Sequence, residues 1–280
     1  MAQFIKNRRG TAAQLKTTTL AKAELGVSTG SVAGVTTPIL HVGDGSNAAG
    51  FVVGRLHQGG TVPTLTAGNI GSAAQHSQCL WATLAHLPGL KVIAPSSLHD
   101  HKGLMASAIR SNDPVVVFEH KELLLKRAKS FQSNSYVPSN RYTVPIGKAI
   151  KLLEGNDITL VTLSFTVELA LEASIEIAKE WISVEVIDLR SIVPLDIKTI
   201  LESVLKTKRL LVVDEDYLSF GLTGEIITRV IENLGVSELK QIRRLAVPDV
   251  PIPAASSIEE EIMPNKNSIK NLLKLMSKGE

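Results

Sequence analysis

His76 is the residue whose sequence context best fits a chemical role. It lies in SAAQHSQCLWATLAHLPGLKVIAPSS, residues 72–97, between small residues and an apolar stretch. Ser77 is a favoured N-cap and a leucine stripe follows it, which predicts a helix from Ser77 to Pro88-Gly89. Unpaired N–H groups at a helix amino end disfavour an imidazolium, so we expect His76 to be neutral and able to accept or donate a proton. His76 is therefore the candidate catalytic residue, and a hydrogen-bonded structural histidine is the alternative.

The other reactive side chains have weaker patterns. Cys79 is the one cysteine in the sequence, which excludes an intrachain disulfide and favours a buried thiol over a nucleophile. His99 and His101 lack the i, i+4 spacing of a helical metal pair, so no transition-metal site is predicted, and His120 has no distinguishing pattern. The acidic run 214–216 ends a predicted strand, where ligands gather in parallel sheets, but solvated capping carboxylates are the favoured interpretation.

Composition indicates a globular, soluble and cytoplasmic chain. The sequence has 280 residues, 44% of them hydrophobic and 20% charged, and no apolar run approaches the roughly 20 residues of a membrane span. The formal net charge is +3, and the basic excess lies in residues 1–75. KNRRG could contact nucleic acid, but this region has almost no aromatic residues to stack on bases. We therefore expect neither a nucleic-acid partner nor a membrane.

From about residue 76, short β-branched runs alternate with amphipathic stretches. The runs are KVIAP, PVVVFEH, DITLVTL, SVEVIDL, RLLVVDED and QIRRLAV, and each is apolar enough to be covered on both faces. Between them, Ser97 and Asp100 predict a capping box, and a helical stripe follows later in the chain (Leu169, Ala173, Ile177). The alternation predicts a doubly wound α/β fold with a parallel sheet.

Composition also divides the chain into four segments. Residues 1–67 are rich in Gly, Thr and turn signals, and predict an atypical, loop-rich N-terminal segment. Residues 68–122 carry part of the α/β alternation, and residues 145–280 carry enough of it for a compact domain. The polar stretch 123–144 does not continue the alternation of strands and helices, and it is predicted to be a linker or an ordered crossing loop.

Several motifs occur in a fixed order over residues of about 68–280. They are AQHSQ, HLPGLKVIAPSS, KGLMASAIRSNDPVVVFEHKEL, VEVIDLRSIVPLD, VVDED…GLTGEI and DVPIPAASSIEEEIMPN. In this order they resemble the beta subunit of the thiamine-diphosphate-dependent 2-oxo-acid dehydrogenases of the pyruvate and acetoin types. The resemblance implies a transketolase-like fold, with a partial pyrimidine-binding domain at 68–122 and a transketolase C-terminal domain at 145–280.

The same resemblance implies an activity and its partners. His76 falls on the family's active-site histidine, which assists proton transfer during oxidative decarboxylation of a 2-oxo acid and acyl transfer to a lipoyl group. Thiamine diphosphate is shared with an alpha subunit, which also holds Mg²⁺. The implied assembly is an α2β2 heterotetramer that works with a lipoyl acyltransferase core.

A structural potassium ion is also implied by the resemblance, along ASAIRSND. Carried over by position, its ligands are the main-chain carbonyls of this segment (Ala108, Ile109, Ser111, Asp113). Carbonyl oxygens suit a large hard cation and constrain side chains little. An ordinary helix carboxyl end that turns into PVVVFEH is the alternative.

The N-terminal region departs from the family's pattern. The family's TPISE-like segment supplies a glutamate that activates the cofactor, but TTPILHVGDGSNAAGF has Leu40 and His41 there, and Asp44 is a poor substitute. QFIKNRRGTAAQ and GDGS instead resemble the N-terminal module of phage tail-fibre proteins. The alternative to an enzyme subunit is therefore a catalytically incomplete, viral or chimeric assembly protein that retains the C-terminal domain.

Overall fold

The computed structural model describes residues 8–11, 25–32, 35–42, 51–55, 64–68, 71, 73–133 and 136–279. The chain divides into two compact units, residues 1–65 with 108–117 and residues 66–107 with 118–280. The strands are β1 (Arg8–Thr11), β2 (Leu25–Val32), β3 (Val35–Val42), β4 (Phe51–Arg55), β5 (Thr64–Ala67), β6 (Lys91–Ile93), β7 (Val115–His120), β8 (Ile150–Leu153), β9 (Ile158–Thr162), β10 (Val184–Asp188), β11 (Ser191–Val193), β12 (Arg209–Tyr217) and β13 (Gln241–Val247).

The helices are α1 (Ala73–Ser77), α2 (Trp81–Ala85), α3 (Leu98–Arg110), α4 (Lys121–Leu125), α5 (Thr166–Ile177), α6 (Ile197–Thr207), α7 (Leu222–Leu234), α8 (Ser256–Ile262) and α9 (Lys266–Lys278). Short 3₁₀ turns occur at Ala128–Ser130, Ala178–Glu180 and Val236–Glu238. Among the described residues, these helices are too short or too polar to cross a membrane.

In the first unit, strands β1 to β4 form a sheet in the order β1-β2-β3-β4. β1 pairs parallel with β2, and the other two pairings are antiparallel. The β2–β3 pairing runs from Leu25 opposite Val42 to Val32 opposite Val35. Valine and threonine recur along both strands and favour extended backbone. The prediction of a loop-rich segment at 1–67 is therefore wrong for these strands.

In the second unit, a five-stranded sheet has the order β13-β12-β9-β10-β8. Its strands are parallel except for β8, which runs antiparallel to β10. Side chains from β9, β10, β12, α5 and α9 form one hydrophobic core, and the predicted helical stripe packs into it (Leu169, Ala173, Ile177). The predicted parallel α/β arrangement is confirmed. The prediction that every strand is covered on both faces is wrong for the edge strand β13, where Arg243 and Arg244 are exposed.

Strand β11 follows the C-terminal sheet's strand β10 in sequence but belongs to another sheet. In that sheet β11 lies next to β6. Ser191 lies opposite Ile93 and Val193 lies opposite Val92 in an antiparallel pairing. The Ala94 N–H also donates to the Arg190 carbonyl at 2.9 Å. The C-terminal half of the chain thus contributes a strand beside β6.

Arg190 reinforces this junction from a left-handed backbone conformation with φ of 56°. Its Nη1 lies 3.0 Å from Asp100 Oδ1, and both side chains are buried. Asp100 belongs to the first turn of α3, where its N–H donates to Ser97 Oγ at 3.1 Å and the Ser97 hydroxyl donates to its carboxylate at 3.0 Å. The predicted cap at Ser97 is therefore confirmed. Burial raises the pKa of neighbouring Asp188 to about 7, and the Ser96 hydroxyl donates to that carboxyl group.

Glu168 on α5 holds the polar segment that follows α4. Its buried carboxylate accepts hydrogen bonds from Lys126 Nζ at 2.8 Å, from Gln132 N at 2.8 Å and from Ser133 N at 3.0 Å. Burial alone would raise the pKa of Glu168, but these hydrogen bonds outweigh it and lower the pKa. The described part of residues 123–144 is therefore an ordered loop anchored to α5.

Candidate functional site

His76 is exposed in the last turn of α1. Its carbonyl oxygen accepts a hydrogen bond from Lys121 Nζ at 2.6 Å, and Lys121 directly follows β7. The predicted continuous helix beginning at Ser77 is wrong, because Ser77 ends α1 and a separate helix starts at Trp81. His76 therefore does not precede a helix amino end, and the electrostatic reason for a neutral imidazole does not apply. The ring nevertheless remains open to a substrate or to a neighbouring chain.

The contacts of Trp81 explain why the helix is interrupted. Its side chain is buried and packs edge to face on Phe118, with ring centroids 5.8 Å apart. The indole Nε1 donates to Asp214 Oδ2 at 3.2 Å. These distant partners fix the position of Trp81, and they override the local leucine pattern that predicted one helix.

The acidic run at the end of β12 is buried, so its interpretation as solvated capping carboxylates is wrong. Burial raises the pKa of Asp214 to about 8, and the charge of Asp216 raises it further, whereas the Trp81 hydrogen bond opposes the shift. Burial likewise raises the pKa of Asp216 to about 6, although the Tyr217 N–H donates to its carboxylate. Asp214 is therefore mostly protonated at neutral pH.

His120 meets Glu215 of this acidic run, a contact that the sequence did not predict. His120 Nε2 lies 2.9 Å from Glu215 Oε2, and the side chains are 1% and 5% exposed. The His120 ring stacks on Phe165 with centroids 5.0 Å apart. Both residues carry a signal that could have identified the pair, because each lies at or near the carboxyl end of a buried strand.

Cys79 completes a buried cluster with this pair, because ligand atoms of the three side chains lie within 4.8 Å of one another. The Glu122 N–H donates to His120 Nδ1 at 3.2 Å, so a neutral His120 carries its proton on Nε2. An Nε2 that carries a proton does not ligate a metal. Burial, followed by the charges of the acidic run, raises the pKa of the Cys79 thiol well above its ordinary value. The predicted burial of the thiol is confirmed.

The predicted potassium segment lies at the carboxyl end of α3. Ala108 and Ile109 are in its last turn, and the Ser111 N–H donates to the Ala108 carbonyl at 3.1 Å. The Asp113 N–H donates to Ser111 Oγ at 3.2 Å. A helix carboxyl end concentrates carbonyl oxygens with few intrahelical partners, so this backbone suits a cation as well as an ordinary turn. The potassium site stays a prediction.

Three family models match successive parts of the chain. Residues 5–47 match the N-terminal domain of the major tropism determinant, residues 52–126 match the transketolase pyrimidine-binding domain, and residues 147–269 match the transketolase C-terminal domain. The pyrimidine-binding match begins upstream of residue 68, where the motifs alone placed it. The phage-like N-terminal resemblance also has a matching family.

Two relatives match more than two thirds of the chain. The chain is 38% identical over 208 residues to the acetoin:2,6-dichlorophenolindophenol oxidoreductase subunit beta of Cupriavidus necator, covering 74% of this chain and 60% of that protein. It is 44% identical over 199 residues to the mitochondrial pyruvate dehydrogenase E1 component subunit beta-1 of Arabidopsis thaliana, covering 71% of this chain and 54% of that protein. The chain thus spans little more than half the length of these relatives.

A solved structure shows the same fold. The split gene transketolase described as an inactive beta4 tetramer matches with a TM-score of 0.62 at 20% identity, over 77% of this chain and 66% of that one. Residues 52–126 and 147–269 therefore match the two transketolase-type domains in succession, and the chain is similar to the beta subunits of pyruvate dehydrogenase and of the acetoin oxidoreductase.

Proposed function

We propose that this chain is the beta subunit of a cytoplasmic, pyruvate-type 2-oxo-acid dehydrogenase. It would pair with an alpha subunit in an α2β2 assembly and pass acyl groups to a lipoyl acyltransferase core. The observation that carries the proposal is the exposed ring of His76 within AQHSQ, on a turn whose carbonyl is held by Lys121. An exposed imidazole suits a site that a neighbouring chain completes.

His76 has a limited part in the proposed chemistry. When bound, thiamine diphosphate would supply the carbanion chemistry of 2-oxo-acid decarboxylation, and the alpha subunit would hold its diphosphate and Mg²⁺. The exposed His76 ring can donate or accept a proton at the reacting oxygen. Leu40 and His41 lie upstream of the matched residues, and their side chains and Asp44 lie outside the described residues. We assign this chain no group that activates the cofactor.

The proposal is tested by co-purifying the full chain with the alpha subunit of a pyruvate or acetoin dehydrogenase. We expect saturable thiamine diphosphate binding and pyruvate decarboxylation, with the rate of His76→Ala reduced by about 100-fold. His86→Ala is the matched control, because His86 is also exposed and caps the adjacent helix α2. Titrating the same complex with potassium tests whether the carbonyl groups at the end of α3 bind this ion.

The outcome also separates the two functional hypotheses. If no alpha subunit confers cofactor binding, the enzyme proposal fails and the assembly protein with a phage-type N-terminal segment is favoured. If the cofactor binds and His76→Ala retains full activity, the subunit assignment stands but the role of His76 is wrong.

A further inference from the structure

The second unit contains a cavity of about 170 Å³ that the proposed decarboxylation does not use. Its walls include His120, Phe165, Leu169, Glu215, Glu259 and Met263. All of these side chains come from β7, the carboxyl half of β12, the start of α5 and the segment around α8. Apolar groups form most of the wall, and acidic groups interrupt it.

Two of the carboxylates are buried with unused hydrogen-bonding capacity. Glu259 is 1% exposed; one of its oxygens accepts the Gly71 N–H, and Oε1 has no partner among the described residues. Glu215 Oε2 lies near His120 Nε2, but their alignment does not make a hydrogen bond. Buried carboxylate oxygens without donors are costly. A ligand that brings N–H donors and positive charge would relieve this cost.

The size and chemistry of the wall narrow the ligand class. A cavity of about 150 Å³ is large enough to hold a benzene-sized molecule. Phe165, Leu169 and Met263 offer apolar surface that a hydrated metal ion would not use, and an aromatic face attracts an organic cation.

We propose that this cavity binds a small primary ammonium ion with a compact apolar body. Its N–H groups donate to Glu259 Oε1 and Glu215 Oε2. None of the residues involved takes part in the proposed chemistry of His76, so the two proposals are tested independently.

The test is calorimetric titration of the full chain at neutral pH with benzylamine and with benzyl alcohol. These probes match in size, and only the amine is charged. We expect benzylamine to saturate one site and to bind at least about tenfold more tightly than benzyl alcohol. Glu259→Gln should remove this preference. Glu261→Gln is the matched control, since it makes the same change on an exposed position of α8 outside the cavity wall.

Other outcomes overturn the inference. Equal binding of the two probes, or an unchanged preference in Glu259→Gln, would show that the carboxylate does not select a cation. Saturation by Mg²⁺ or Ca²⁺ without amine binding would assign the cavity to a metal ion instead. If Glu259→Gln does not fold, Leu169→Phe decides the matter, because filling the apolar wall should abolish amine binding while circular dichroism reports an intact fold.

Discussion

Gly68 shows how the absence of a side chain makes room for a buried pair. Its φ is +58°, and a Cβ at this position would lie 1.9 Å from His120 Nε2. We expect Gly68→Ala to lower the free energy of unfolding by more than about 3 kcal/mol, because the left-handed backbone strain adds to displacement of a buried ring. Urea denaturation of the full chain measures the loss.

Gly89→Ala supplies the comparison for this substitution. Gly89 also has a positive φ, of +92°, but a Cβ there meets nothing within 4 Å. Only backbone strain applies, and we expect a loss of about 1 kcal/mol. Equal losses in the two variants would show that the His120 ring moves aside at little cost.

Asp214 makes stability depend on pH. Its pKa of about 8 in the folded protein lies above the unfolded value of about 3.9. Between these values the native state keeps a proton that the unfolded state releases, so the group's contribution to stability falls as pH rises and is fully lost near pH 8. Asp214→Asn cannot ionise, and its amide oxygen can still accept the Trp81 N–H.

We therefore expect Asp214→Asn to gain stability relative to the unmodified chain as pH rises. The difference in free energy of unfolding should grow by about 2 to 3 kcal/mol between about pH 5 and pH 7.5. Urea denaturation at both pH values gives this difference, in which the other titrating groups largely cancel. A difference that does not change with pH would contradict the raised pKa.

At the scale of elements, Glu168 joins α5 to the loop that follows α4. Glu168→Gln keeps the shape but weakens three charge-assisted hydrogen bonds, and we expect a loss of about 2 kcal/mol and faster proteolysis within residues 126–133. Since its pKa is lowered by folding, the carboxylate's contribution is present above its unfolded value and disappears as pH falls through the folded value. Glu172→Gln, one turn along α5, should change neither the free energy of unfolding nor the rate of proteolysis within residues 126–133. Unchanged proteolysis in Glu168→Gln would mean that the loop is held by other contacts.

The sequence predicted elements whose cause is local and missed those whose cause is distant. Strands β9, β10 and β12 are β-branched runs between turn signals, so their positions could be predicted. The break between α1 and α2 could not, because Trp81 is fixed by Phe118 and Asp214. The contact between His120 and Glu215 was missed for the same reason, since only the meeting of two strand ends brings the side chains together.

At the scale of the whole molecule, the C-terminal domain holds its own core. The hydrophobic cluster around β9, β10 and β12 draws only on residues from Leu152 to Met276. We expect a fragment of residues 145–280 to unfold cooperatively in urea, but with lower stability than the same region in the full chain, because the Asp100–Arg190 pair and the Trp81–Asp214 bond are lost. A broad transition without a folded baseline would show that this core needs the preceding residues.

At this scale, the motifs shared with a known family predicted more of the fold than the hydrophobic patterns did. The motifs assigned residues 68–280 to a transketolase-like fold, and the matched families place its start at residue 52. The four N-terminal strands were missed because their glycine and threonine content is equally typical of turns. Only the pairing of these strands with one another distinguishes a strand from a turn here. The composition of a single strand does not reveal that pairing.

The strand β11 bears on how such a chain could arise by recombination. A crossover between β6 and β11 would separate Val92 from its hydrogen-bonded neighbour Val193 and leave a bare sheet edge in each product. A crossover between residues 47 and 52 splits neither matched segment, but it separates β4 from its partner strand β3 in the first sheet. Genetic exchange that preserves folding is therefore expected to move the two transketolase modules as one heritable block, together with a preceding segment that supplies a partner strand for β4.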